Sequence, residues 1–260
     1  MKLGLAALFA LTALLYASVG FGGGSTYTAL LVLGGADFRA VPVVALLCNI
    51  TVVAGGTWRF ARAEALPARR LAPFLAASIP AAWAGGRLPV EERAFVGLLG
   101  AALLVAGARM AVQALRRRRR ARGQMEVGVE ATRDVPTGVA LGTGAALGGL
   151  AGVVGIGGGI FLAPVLYALR WGGEREIAGA CSLFILLNSV AGLAGQLQKG
   201  GGDALGLAAP YFLLIPAVLV GGQIGSWLGS SRLRAEWVRG LTALLILYVA
   251  TRLLLRWAAG

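Results

Sequence analysis

The sequence predicts an all-α integral membrane protein built from two homologous halves, and three observations lead there. Only 13% of the 260 residues are charged and 58% belong to the hydrophobic set, whereas soluble domains average about 25% charged. Residues 3–36, 40–58, 71–86, 135–169, 177–198 and 204–231 contain no Asp, Glu, Lys or Arg. About 20 apolar residues cross a hydrocarbon core of about 30 Å, so these runs are read as membrane segments. Finally, landmarks of the first half recur in the second in the same order. A membrane barrel would instead show alternating segments of about 10 residues, which continuous apolar runs are not.

The elements are justified in chain order. Met1, Lys2 and the apolar run to Ala17 resemble a secretory signal, with small residues near Ser18 as a cleavage region. The following GFGGGSTYT at 20–28 has a counterpart in the second half, and a removable signal is not expected to form one end of a repeat. The segment is therefore retained as structure. A straight helix over 3–34 would be about 48 Å long, which overshoots the core. It is read either as one broken, tilted crossing or as a re-entrant hairpin bent at the glycines. Helices follow near 40–58, 70–88 and 94–115. In the second half the interrupted segment is 136–169, with helices near 177–196, 205–229 and 236–257. Broken crossings give eight transmembrane helices in two parallel repeats; hairpins give ten segments in two inverted repeats. Both models place Arg59, Arg62, Arg69, Arg70 and the linker arginines in the cytoplasm and divide the 24 basic residues almost alike, so positive-inside counting leaves both open.

The repeat itself is read from glycine clusters. Gly20-Phe21-Gly22-Gly23-Gly24 aligns with Gly155-Ile156-Gly157-Gly158-Gly159 at an offset of 135. Pro80 with Gly85-Gly86 aligns with Pro216 and Gly221-Gly222 at 136, and Gly97 and Arg109 with Gly240 and Arg252 at 143. The halves are thus 1–115 and 134–260, joined by a charged cytoplasmic linker at 116–133. Its run RRRRRARG reads as a stop-transfer and topology signal, with a lipid-headgroup role as the other reading. Duplication of this kind is common in secondary transporters and puts the substrate site between the halves.

Charge and residue inventory exclude several functions. The net charge of +13 comes from 22 Arg and 2 Lys against 11 acids, but the arginines lie between apolar spans, so nucleic acid is not an expected partner. Cys48 and Cys181 fall inside spans, where a thiol behaves as a small apolar group. There is no histidine, and every acid falls in a loop or at a helix end. No metal, cofactor or proton-relay site is expected from that inventory, nor an enzyme, and a cation carrier would need a buried carboxylate.

The glycine clusters carry the functional argument. Glycines at 85, 86, 221 and 222 are explained by close helix packing. Three in succession cost about 1 kcal/mol each relative to Ala, so Gly22-Gly23-Gly24 and Gly157-Gly158-Gly159 are poor packing devices and good helix breakers. A break exposes N–H groups at the start of the next half-helix, near Ser25 or Ile160, and in lipid those donors must find a partner. Free N–H groups at a positive helix end make an anion site, to which Ser25 and Thr26 add hydroxyls. A second constellation lies on the next helix of each half: Asn49, Gly56 and Thr57, matched in spacing by Asn188, Gly195 and Gln196. A mid-membrane amide is either interhelical glue or a substrate contact, and duplication fits both.

These residues resemble the TauE/SafE family of sulfite exporters and related anion permeases over nearly the whole chain. The most specific part is GVVGIGGGIFLAPVLYALRW followed by IAGACSLFILLNSVAGLAGQL, with Pro164 and the small-residue stretch Ala180 to Ser182. The first half lacks the proline, and Val43 stands where the second half has Ser182, six before its Asn. If Ser182 touches substrate, the halves contribute unequally. The resemblance implies a permease for sulfite, sulfonates or other small organosulfur or carboxylate anions. The expectation is therefore a multi-pass, bacterial-type cell-membrane transporter that takes a small anionic substrate by alternating access. An anion channel and a non-transporting scaffold subunit stay open.

Overall fold

The computed structural model describes residues 2–18, 20–63, 66–121, 134–200 and 203–229, together with 244, 247–248, 250–255 and 257–258 of the last helix. The linker beyond 121 and most of the expected helix 236–257 lie outside the described residues. Among those described, every element is helical: α1 (Lys2–Ala17), α2 (Gly24–Leu33), α3 (Ala40–Arg62), α4 (Ala68–Arg87), α5 (Glu92–Ala121), α6 (Thr137–Val154), α7 (Gly159–Ala168), α8 (Glu174–Gly200), α9 (Asp203–Ala208) and α10 (Leu214–Gly229). Three of them, α3, α6 and the 175–199 part of α8, are long and apolar enough to cross a membrane, and α9 with α10 makes a fourth if taken as one bent span. The expected helix 205–229 is bent by 60° between Tyr211 and Leu214. Two prolines explain it: Pro210 lies in the 3-10 turn Ala209–Tyr211, and Pro216 near the start of α10 has no N–H to donate back across the bend.

At both glycine clusters the chain turns back beside the helix it has just left. Phe9 of α1 stacks on Tyr27 of α2 with ring centroids 4.8 Å apart, whereas a continuous helix would separate them by about 27 Å. A Cβ on Gly158 would stand 3.3 Å from Ala151 Cβ and 3.4 Å from Leu147 O of α6. Left-handed glycines make both turns: Gly20, Gly23, Gly155, Gly157 and Gly158 have φ between 77° and 86°, a conformation that costs any residue with a Cβ. The interrupted segments are hairpins rather than tilted crossings.

Helix directions follow from named contacts. α3 and α8 cross antiparallel: Gly56 faces Ser182, while Gly192 faces Leu46. α6 runs parallel to α4, because Cβ atoms on Gly144, Gly148 and Gly152 would overlap the carbonyl oxygens of Phe74, Ser78 and Ala82 in turn. α10 runs parallel to α1 by the same device, Gly221 against Ala10 O and Gly225 against Leu14 O. Glycine stripes at i, i+4 and i+8 lie on one helix face and let backbones meet, which is the main source of attraction available where lipid is as apolar as leucine. Gly85 and Gly86 serve α4 likewise against Gly149 and Gly192. A Cβ on Gly222 would stand a tight 3.3 Å from Val52 of α3.

The ends of the bundle are marked by paired aromatics and cations. Arg62 stacks on Trp58 at 4.6 Å, Arg70 on Trp171 at 4.8 Å and Arg87 on Trp83 at 4.6 Å, the pairing expected where a membrane meets water. In the loop between α2 and α3, hydrogen bonds from the Arg39 side chain hold the Asp37 carboxyl below its ordinary pKa.

Candidate functional site

The two glycine turns meet at the middle of α3. Asn49 is fully buried there and its Nδ2 donates to the Ile156 carbonyl in the second turn at 3.1 Å. A Cβ on Gly22 would be 2.6 Å from Asn49 Oδ1, and one on Gly24 would be 2.7 Å from Ile156 O and would overlap the amide. Glycine is thus required at 22 and 24 for space, beyond its role as a helix breaker. Around this contact lies a cavity of about 10 Å³, lined by Tyr16, Phe21, Gly22 to Ser25, Asn49, Ile156, Ile160 and Ile185. That is room for about one water, and no charged side chain lines it.

Donors converge on it. In α2 the first bond runs from Thr26 N to Gly23 O at 3.0 Å, so the N–H groups of Gly24 and Ser25 have no helical acceptor. In α7 the first bond runs from Phe161 N to Gly158 O at 3.1 Å, which frees Gly159 and Ile160 in the same way. Neither helix has a side-chain N-cap. The Tyr16 hydroxyl lies 3.0 Å from Thr26 Oγ1 and 3.4 Å from Ser25 Oγ. The local field is positive and comes from backbone dipoles rather than ions.

The remaining candidates divide among other places. Gly157 lies against this centre, since its Cβ would be 3.0 Å from Asn49 Nδ2, whereas Gly158 and Gly159 pack on Phe184 and Ile185 of α8. Thr57 Oγ1 and Ser182 Oγ are 2.9 Å apart and tie α3 to α8 two turns from Asn49. Asn188 reaches a different helix: its Nδ2 donates to Ser78 Oγ of α4 at 3.0 Å and to Phe184 O at 2.8 Å. Gln196 Nε2 donates to Gly152 O at 2.8 Å and borders a second cavity of about 610 Å³, where Arg39, Lys199, Asp203 and Val153 are found.

The position matching Asn49 beside the second turn is Ile185, not Asn188. Gly157 stands against Ile185 and Ser189 as Gly22 stands against Asn49 and Val53, each pair separated by 136 residues like Pro80 and Pro216. The spacing Asn, Gly, polar recurs at Asn188, but that amide faces Ser78 of α4 rather than the turn. Residues with no sequence signal complete the centre: Tyr16 and Ile185 line it, and Ser189 Oγ and Tyr27 OH are buried beside it with no hydrogen-bond partner among the described residues.

The family model described as sulfite exporter TauE/SafE matches residues 5–253. A relative from Sinorhizobium fredii (strain NBRC 101917 / NGR234), named "probable membrane transporter protein y4hK", is 35% identical over 252 residues, covering 97% of this chain and 98% of that protein. No solved structure matches. With several apolar helices among the described residues and a family match over nearly its whole length, the chain is a multi-pass membrane transporter belonging to the sulfite exporter TauE/SafE family.

Proposed function

We propose that the protein moves a small anion, sulfite or another organosulfur or sulfonate anion, across the bacterial cell membrane by alternating access. Its moving parts are two inverted halves, 1–115 and 134–260, joined by the cytoplasmic linker 116–133. The antiparallel crossing of α3 and α8 and the two hairpins favour inverted repeats of five segments over parallel repeats of four. The single observation that carries the reading is the convergence of both glycine turns, with their unspent N–H donors, on one buried cavity at Asn49. Gly22, Gly23, Gly24, Ser25, Thr26, Asn49, Gly157, Gly158, Gly159 and Ile160 would form the substrate site. Thr57, Ser182, Asn188 and Gln196 are assigned to holding the helices that rearrange around it. The cavity takes only about one water, so this conformation is occluded and substrate enters as the halves part.

The test is uptake by proteoliposomes of sulfite, thiosulfate, sulfonates, sulfate and short carboxylates, with the membrane potential clamped. Saturable flux of at least one of these, inhibited by other small anions and not by amines or metal cations, is the expected result. Flux of a cation, or none for any anion in functional vesicles, would sink the proposal.

A further inference from the structure

The protonation state of the substrate is legible from an unspent amide oxygen in the central cavity; this step rests on the anion reading just given. The orientation of the Asn49 amide follows from chemistry. Its Nδ2 donates to Ile156 O, and a carbonyl oxygen only accepts, so the opposite flip would set two acceptors against each other. Oδ1 is thereby turned toward Gly22 and Gly24, whose Cβ atoms would stand 2.6 and 2.9 Å from it, and both glycines line the cavity. This oxygen is fully buried, and no donor among the described residues reaches it.

Around the same space lie donors: the N–H groups of Gly24 and Ser25, which have no acceptor within their helix, and the Ser25 hydroxyl, which shares a hydrogen-bonded cluster with Tyr16. Ser189 Oγ, also unpaired, is a hydroxyl that turns either way and does not discriminate. Beside the second turn the matching residue is Ile185, so the cavity holds one side-chain amide acceptor and not two.

An oxyanion with all its oxygens ionised satisfies the donors but presses a lone pair onto Asn49 Oδ1, leaving a buried acceptor unmet. We propose that the site selects the singly protonated form of a small oxyanion: backbone N–H groups hold its ionised oxygens while Asn49 Oδ1 accepts from its one O–H. Asn49 is then the specificity-determining residue, and no carboxylate or histidine is needed to bring a proton along.

The test compares methylphosphonate, kept below its second pKa, with methanesulfonate, using purified full-length protein in lipid nanodiscs. Both are tetrahedral, methyl-capped and singly charged, and only the phosphonate carries an O–H. The expected result is about tenfold tighter binding of the phosphonate monoanion, with the difference abolished in Asn49→Leu. A second arm needs only the natural chain: raising pH through the second ionisation should weaken phosphonate and sulfite binding while leaving methanesulfonate unchanged. Equal binding of the two probes, or sulfite affinity that does not fall with pH, would mean that a water supplies the donor; that overturns the inference and leaves the anion site standing. Binding of neither probe, nor of sulfite at any pH, overturns both.

Discussion

Asn49 and Ile156 lie 107 residues apart in sequence and are joined by a hydrogen bond of 3.1 Å from the side-chain amide to the backbone carbonyl. This bond ties the middle of α3 to the second glycine turn, and the cavity forms around it. Asn49→Leu keeps the volume but leaves Ile156 O without its donor in a buried interior. The expected cost is about 1 kcal/mol, read as a lower unfolding midpoint in detergent, with transport lost. Normal flux in the variant would remove Asn49 from the mechanism.

The glycine turns are conformationally demanding as well as crowded. Gly23 has φ 86° and Gly158 has φ 79°, and a Cβ on Gly158 would be 2.9 Å from the Phe184 ring. Gly23→Leu and Gly158→Leu should insert into the membrane yet carry no substrate, because the side chain distorts the turn that presents the N–H groups. Measured flux at the natural rate in both would show that these turns are hinges or packing features only.

Adjacent glycines on α6 make a sharper stability test. A Cβ on Gly148 would overlap the Ser78 carbonyl of α4, while one on Gly149 would be 3.9 Å from the nearest atom, Ala81 O. Gly148→Ala should therefore lower stability by more than about 1 kcal/mol through helix separation. Gly149→Ala should be neutral, or stabilising by up to about 1 kcal/mol from helix propensity. Equal effects in thermal unfolding would mean that the α4 and α6 backbones do not meet as described.

Coupling should follow the substrate's own acid–base chemistry. The acids among the described residues lie in loops or at helix starts, such as Asp37, Glu92 and Asp203, and there is no histidine, so among the described residues no carboxylate or imidazole is placed inside the membrane to carry a proton. Flux of an anion that stays fully ionised between about pH 5 and 8 should be nearly independent of an imposed pH gradient. A titrating anion should follow the concentration of its carried form. Strong gradient-driven accumulation of the non-titrating anion in vesicles would show that the protein itself carries the proton.

Lys199 borders the larger cavity with no ion pair among the described residues, whereas Arg39 there is paired with Asp37 at 3.1 Å. Lys199→Gln should raise the apparent KM for anions about twofold to fivefold and leave maximal flux unchanged, since an exposed charge mainly concentrates counter-ions at the entrance. The effect should fade at high salt. A reduced maximal rate with unaltered KM would place the residue elsewhere in the cycle.

The helical class, the uncharged runs and the two interruptions were legible because they follow from local chemistry. A charge is excluded from lipid wherever it falls, and three successive glycines break a helix in any context. The sequence alone determined that this chain lives in a membrane, that its helices break at 22–24 and 157–159, and that it contains no histidine. Only the tertiary structure decided that each broken segment turns back as a hairpin. A tilted crossing satisfies the same hydrophobic pattern, and what excludes it is contact between residues such as Phe9 and Tyr27. The same holds for the partner of Asn49. Equal spacing pointed to Asn188, but which side chain faces a glycine turn depends on the register of α8 against it, and that register puts Ile185 there while sending Asn188 to Ser78 of α4. Register is a property of backbones in contact, and the overlap of glycine with a neighbour's carbonyl that sets it leaves no mark in a single sequence.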